Sequence, residues 1–166
     1  MVCVTSVSYS IMINGDPKGY IKPGRGIRQG DPLSPYLFLI CAEGLSALMR
    51  KAERDRMIRG VSICRGGPRI SHLFFANDSI IFCRAKLSEC TALQEILTLY
   101  GRAFGQLVNG DKTALFFSHN TPSSLRADIS GFLGTTLTTK FEKYLGLPLI
   151  IGRAKKRAFN EIKDRI

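Results

Sequence analysis

Acid is in short supply in this sequence. Thirteen Asp and Glu face 24 Lys and Arg, which leaves a net charge of +11 and a pI near 9.8. A field of that sign disfavours cationic partners and favours polyanions, nucleic acid first and an anionic membrane surface second. Long apolar runs are missing too. No window reaches the roughly 18 uninterrupted apolar residues of a membrane span, and with nucleic acid the first choice of polyanion no membrane partner is expected. The first residues, MVCVTSVSYS, lack the basic region of a secretory signal. The five cysteines (Cys3, Cys41, Cys64, Cys83, Cys90) are odd in number and scattered, with no C-x-x-C pair, and His72 and His119 stand far from any useful partner. That pattern argues against a zinc site and points to a reduced intracellular compartment, nucleus or cytoplasm. Internal repeats and low-complexity tracts are absent as well.

The material present is that of one ordinary domain. The chain has 166 residues, 45% of them hydrophobic and 9% aromatic, enough for a core and against disorder. Val2 to Ile13 is rich in β-branched and small polar residues and reads as a strand. The turn chemistry of NGDPKG (14–19) follows it and makes a hairpin. PGRGIRQGDPLSP (23–35) holds three glycines and three prolines in thirteen residues, a loop with specified backbone angles. Ser34 as N-cap and Pro35 at the first helical position open a helix with an apolar stripe of Leu37, Ile40, Cys41, Leu45, Leu48 and Ala52. Strands flank a hairpin around residues 76–79. A second helix runs from Ser88 to Gly105 on Leu93, Ile96, Leu97, Tyr100 and Phe104, and Thr121-Pro122 starts a third. TALFF (113–117) and KYLGLPLI (143–150) read as further strand segments. This is an α+β pattern, an antiparallel sheet with helices packed on one side.

Four segments carry candidate chemistry, and each has a plain structural reading beside the functional one. In FFANDSIIF (74–82) an acidic residue, Asp78, sits at a hairpin tip beside the amide Asn77. A rigid tip can present a carboxylate to Mg²⁺, a hard cation that prefers charged oxygen, but Asn-Asp is also good turn chemistry. In GRGIRQGDPLSP the close glycines and Arg25 and Arg28 suit a phosphate, or else a stiff connector. No Gly-Lys-Ser/Thr follows, so it is not a P-loop. Lys112, just before a strand, is either a phosphate contact or general acid, or solvated surface. RAKKR (153–157) is a basic helix face, equally a solvated face or a nucleic-acid contact.

Taken in order, GIRQGDPLSPYLF, a Phe-Ala-x-Asp hairpin, N-x-x-K-T and KYLGLPL resemble the reverse transcriptase of plant non-LTR (LINE-type) retrotransposons, over nearly the whole chain. The resemblance implies a polymerase palm-like antiparallel sheet with helices packed on one face, plus part of the fingers. Residues 1–150 would form a partial fingers and palm domain, and 151–166 the start of a basic helix toward the thumb. It implies an RNA template, a DNA primer and deoxynucleotides as partners and Mg²⁺ as cofactor. Arg28, Gln29 and Gly30 would lie against template and incoming nucleotide, Lys112 near the nucleotide phosphates, and Tyr144, Leu145 and Gly146 at the primer grip. Asp78 matches the second carboxylate of the family's Phe-Ala-Asp-Asp hairpin and would be the metal ligand, while Asn77 stands where the first carboxylate belongs. The family's remaining catalytic aspartate lies on an earlier palm strand, and Asp16, the one acid ahead of the glycine-rich loop, lacks that motif. The expectation is therefore a fragment that lacks the first catalytic motif and is impaired as a polymerase. A non-catalytic basic nucleic-acid-binding remnant is the alternative. An RRM-like module suits the composition but lacks its aromatic strand signature.

Overall fold

The computed structural model describes residues 6–24, 30–76 and 78–138. The α+β class holds across them: three helices alternate with short strand pairs. The first pair is the hairpin β1 (Tyr9–Ile13) and β2 (Asp16–Ile21). Its turn is Asn14-Gly15 with φ of +52° and +87°, and Ile13 faces Asp16 in the register. Positive φ at both central residues is the turn that matches strand twist, which is why Asn-Gly specifies it. The register shifts between Tyr9 and Ile11, beside Gly19 at φ +73°, so the second strand carries a bulge.

Helix α1 spans Ser34–Arg54. Its N-cap is Leu33, one residue earlier than the sequence indicates, so Ser34 is already helical and Pro35 follows it. The cause is Asp31. Its carboxylate accepts from Leu33 N at 2.8 Å and its carbonyl from Ser34 N at 3.0 Å, so the turn satisfies donors that a serine cap would have taken. The buried stripe also differs from expectation. Leu45, Met49 and Ala52 face inward, Met49 fully, whereas Ile40 is 63% exposed together with Leu33, Tyr36 and Leu39. Spacing of i, i+4, i+7 from Leu45 selects Met49, and it carries Ile40 to the other side of the helix.

Helix α2 (Leu87–Phe104) crosses α1 closely. A Cβ at Gly44 would lie 2.8 Å from the Phe104 ring, so any larger residue there would make that ring shift. Lys86, in extended conformation, is the N-cap in place of Ser88, and Gly105 ends the helix left-handed at φ +70°, as its sequence position indicates. Together α1 and α2 bury Leu45, Met49, Ala52, Ile58, Ala92, Ile96 and Tyr100, each large member contributing about 1.5–3 kcal/mol. Helix α3 (Ser123–Leu133) packs beside α2, buries Ile129 and starts after Pro122, which itself is the cap.

The strands correct the single-sheet expectation. Among the described residues they form four two-stranded sheets. Three are antiparallel: β1–β2, β3 (Val61–Ser62) with β4 (Arg69–Ile70), and β5 (His72–Phe75) with β6 (Asp78–Ile81). The fourth pairs β7 (Ala114–Leu115) with β8 (Thr136–Leu137) in parallel, because α3 lies between them and returns the chain in the same direction. No helix among the described residues is long and apolar enough to cross a membrane. The expected strand over KYLGLPLI and the 151–166 helix lie outside the described residues.

Candidate functional site

The hairpin β5–β6 presents the candidate carboxylate. Its register pairs His72 with Ile81, Leu73 with Ile80, Phe74 with Ser79 and Phe75 with Asp78. The loop is thus 76–77, two residues shorter than the 76–79 tip read from sequence, and Asp78 is the first residue of β6 rather than part of the turn. Ala76 adopts φ +48°, a left-handed conformation that costs a non-glycine residue about 1–2 kcal/mol and that the flanking pairs impose. Alternation puts Phe74 and Ile81 on the α1–α2 core. Asp78 and Phe75 fall on the opposite face, both exposed. Asn77 lies outside the described residues.

A hydrogen-bond chain fastens this hairpin to α1. Arg50 donates to Ser46 Oγ at 3.0 Å, Ser46 Oγ lies 2.9 Å from His72 Nε2, and His72 Nδ1 lies 3.0 Å from Ser71 Oγ. Since Ser46 already accepts from Arg50, its hydroxyl is free to donate to Nε2, and Nδ1–H then donates to Ser71: the pattern of a neutral imidazole. Burial pushes the His72 pKa below its ordinary value near 6.5, and Arg50 pushes the same way, while Glu53 and Glu43 oppose it. Protonation is therefore disfavoured in the fold. As pH falls below about 6.5 the unfolded chain takes up the proton first, so stability declines through that window and levels off below the folded-state pKa. Urea midpoints measured between about pH 7.5 and pH 5 should fall for the natural chain, and His72→Gln should remove that part of the slope. An unchanged slope in His72→Gln would assign it elsewhere.

Glu89 is the buried charge that sequence reading missed. It is 1% exposed, accepts from the backbone N–H groups of Arg59 and Arg84 at 3.0 Å each, and pairs with the Arg84 guanidinium. One carboxylate thus ties the exits of α1 and β6 to the first turn of α2. Its only signal in sequence is Arg84 five residues earlier; Arg59, 30 residues away, gives none. Nearby, burial first and then Cys90 and Glu89 push the Cys83 thiol up to about 12. The four described cysteines are free thiols.

Of the other expected site residues, Gly30 is described, exposed, with φ +85° that favours glycine. Arg28, Gln29, Tyr144, Leu145 and Gly146 lie outside the described residues. Lys112 is exposed and ends a 3₁₀ turn, Gly110–Lys112, where Asn109 Oδ1 accepts from its backbone N–H at 3.2 Å. No ion pair joins its ammonium to Asp78, and it precedes β7 rather than sitting on the β5–β6 hairpin. Among the described residues no group of three or more His, Cys, Asp or Glu gathers that could hold a metal ion. One exposed carboxylate does not fit the donor set that a pair of divalent cations requires.

Along the described chain a long helix, the acid-bearing hairpin, a second helix and the lysine turn follow one another. The chain belongs to the reverse transcriptase (RNA-dependent DNA polymerase) family, whose sequence model matches residues 2–149. It is 52% identical over 68 residues to an uncharacterized mitochondrial protein of Arabidopsis thaliana, a stretch covering 41% of this chain and 56% of that protein. It is 36% identical over 67 residues to the retrovirus-related Pol polyprotein of the type-1 retrotransposable element R2 of Nasonia vitripennis, covering 40% of this chain and 6% of the polyprotein. The expected kinship with retrotransposon reverse transcriptases is thereby shown.

Proposed function

We propose that the chain is a retrotransposon reverse transcriptase domain whose polymerase centre is impaired. The observation that carries this reading is the hairpin: Asp78 stands at the start of β6, and its sequence neighbour Asn77 is an amide where the family has its first carboxylate. Phosphoryl transfer by this family uses Mg²⁺, which supplies charge neutralisation at the attacking and leaving oxygens. On this reading Asp78 supplies one ligand at the primer end and Lys112 contacts the nucleotide phosphates. Arg28, Gln29 and Gly30 face template and nucleotide, and Tyr144, Leu145 and Gly146 hold the primer. Residues 1–150 form the domain and 151–166 lead away from it, in a nuclear or cytoplasmic setting.

The alternative is a non-catalytic nucleic-acid-binding remnant, favoured by the +11 charge. Primer extension on an RNA template with Mg²⁺ and deoxynucleotides tests the proposal. No extension is expected from the folded natural chain while it still binds primer–template. Extension would overturn the impairment, and loss of both binding and extension would overturn the family activity as a description of this chain.

A further inference from the structure

We propose that the segment from the end of α1 through the β3–β4 hairpin is a phosphate-gripping surface for nucleic acid, separate from the acid-bearing hairpin. Residues 54–69 hold five arginines (Arg54, Arg56, Arg59, Arg65, Arg69) and no lysine, and all five are exposed. The segment's one acid, Asp55, is already engaged by Lys51. Of the nine described basic residues outside the segment, five, Lys51 included, are engaged, while Lys22, Lys86, Arg102 and Lys112 make no ion pair among the described residues. Lys18, Arg50 and Arg84 pair with Asp16, Glu43 and Glu89, and Arg126 donates to the carbonyls of Ser118, His119 and Thr121. The five arginines make no ion pair among the described residues.

Helix-dipole compensation accounts for Arg54, in the last turn of α1, and for none of the others. The presentation is also stiff. Gly60 sits against Ile70 so closely that a Cβ would lie 2.4 Å from its carbonyl oxygen. Ser62, opposite Arg69, donates to Cys64 O at 2.6 Å, and Gly67 N donates to Cys64 O at 3.0 Å, which closes the tip that carries Arg65. Guanidiniums without acid partners, carried on a firmly held backbone, suit bidentate contact with phosphate oxygens, which carry position rather than base sequence. Membership in a family of RNA-dependent DNA polymerases makes nucleic acid, rather than a lipid surface, the polyanion.

The test compares the full chain with the triple variant Arg56→Asn, Arg65→Gln, Arg69→Gln. Asparagine is chosen at 56 because φ there is +60°. A control of equal charge change is Lys18→Gln, Lys22→Gln, Arg102→Gln. Binding to an RNA–DNA duplex is measured without nucleotides across a salt series, so failure of catalysis cannot mask the result. The arginine variant should bind at least about tenfold more weakly, with a salt slope shallower by about two to three units, and the control should stay near the natural chain. Equal losses in both variants would reduce the effect to net charge and overturn the proposal. So would unchanged duplex binding, or loss confined to phosphatidylserine vesicles. Circular dichroism melts within a few degrees of the natural chain would show that the exposed substitutions leave the fold intact.

Discussion

Replacement of Glu89 by alanine is expected to destabilise the chain by about 3–5 kcal/mol, the cost of leaving a buried partner uncompensated. Two backbone N–H groups, of Arg59 and Arg84, would lose their acceptor, and the Arg84 guanidinium its counter-charge. Domains of this size hold only about 5–15 kcal/mol in total, so the variant should be largely unfolded or melt far earlier. Glu89→Gln keeps one acceptor oxygen and should fall between the natural chain and Glu89→Ala. Arg84→Met should cost less than Glu89→Ala, because the carboxylate would keep both backbone donors and the Arg84 side chain is 44% exposed. Urea unfolding followed by circular dichroism ranks the three. A Glu89→Ala midpoint close to that of the natural chain would mean that the carboxylate ties nothing together.

The contrast between Glu89 and Asp78 explains what could be read from sequence. Helices α1 and α2 were legible because their apolar residues recur at helical spacing and glycine closes the second. The β1–β2 hairpin was legible because Asn14-Gly15 encodes its own turn. Caps slipped by one or two residues because Asp31 and Lys86 supplied the entry geometry in place of the serines. Ile40 left the buried stripe and Met49 entered it because apolar residues on both sides of α1 are compatible with helical spacing, and only packing selects the side that meets α2. The parallel β7–β8 pair was invisible, since pairing depends on α3 folding between them. Glu89 was missed for the same kind of reason: its ligands come from two elements that meet only after α1 and α2 have packed. Asp78, Gly30 and Lys112 were singled out as expected site residues from an ordered set of motifs. What motifs do not convey is that Asp78 begins a strand on the face turned away from the α1–α2 cluster, with Lys112 on a different element.

That placement frames the expected gain from restoring the hairpin's first acid. On the reading that Asp78 is a cation ligand, Asn77→Asp should raise Mn²⁺ affinity about ten- to hundredfold. Two unit charges about 4 Å apart interact by about 4 kcal/mol at the effective dielectric near a protein surface. A dication doubles this, while exposure and salt take back most of it. A residual of about 1.4–2.8 kcal/mol corresponds to that ten- to hundredfold range. Titration calorimetry with Mn²⁺ on the natural chain, Asn77→Asp and Asn77→Asp/Asp78→Asn separates the terms. The gain should vanish in the double variant, since a second ligand helps only where a first one holds the ion. Affinity that does not change in Asn77→Asp would mean the hairpin tip does not gather a cation. Affinity that rises without primer extension would shift the defect away from the amide. Asp16 could not make up that difference: it begins β2 and lies 3.7 Å from Lys18, an ammonium that offsets the charge a catalytic aspartate must bring to the metal.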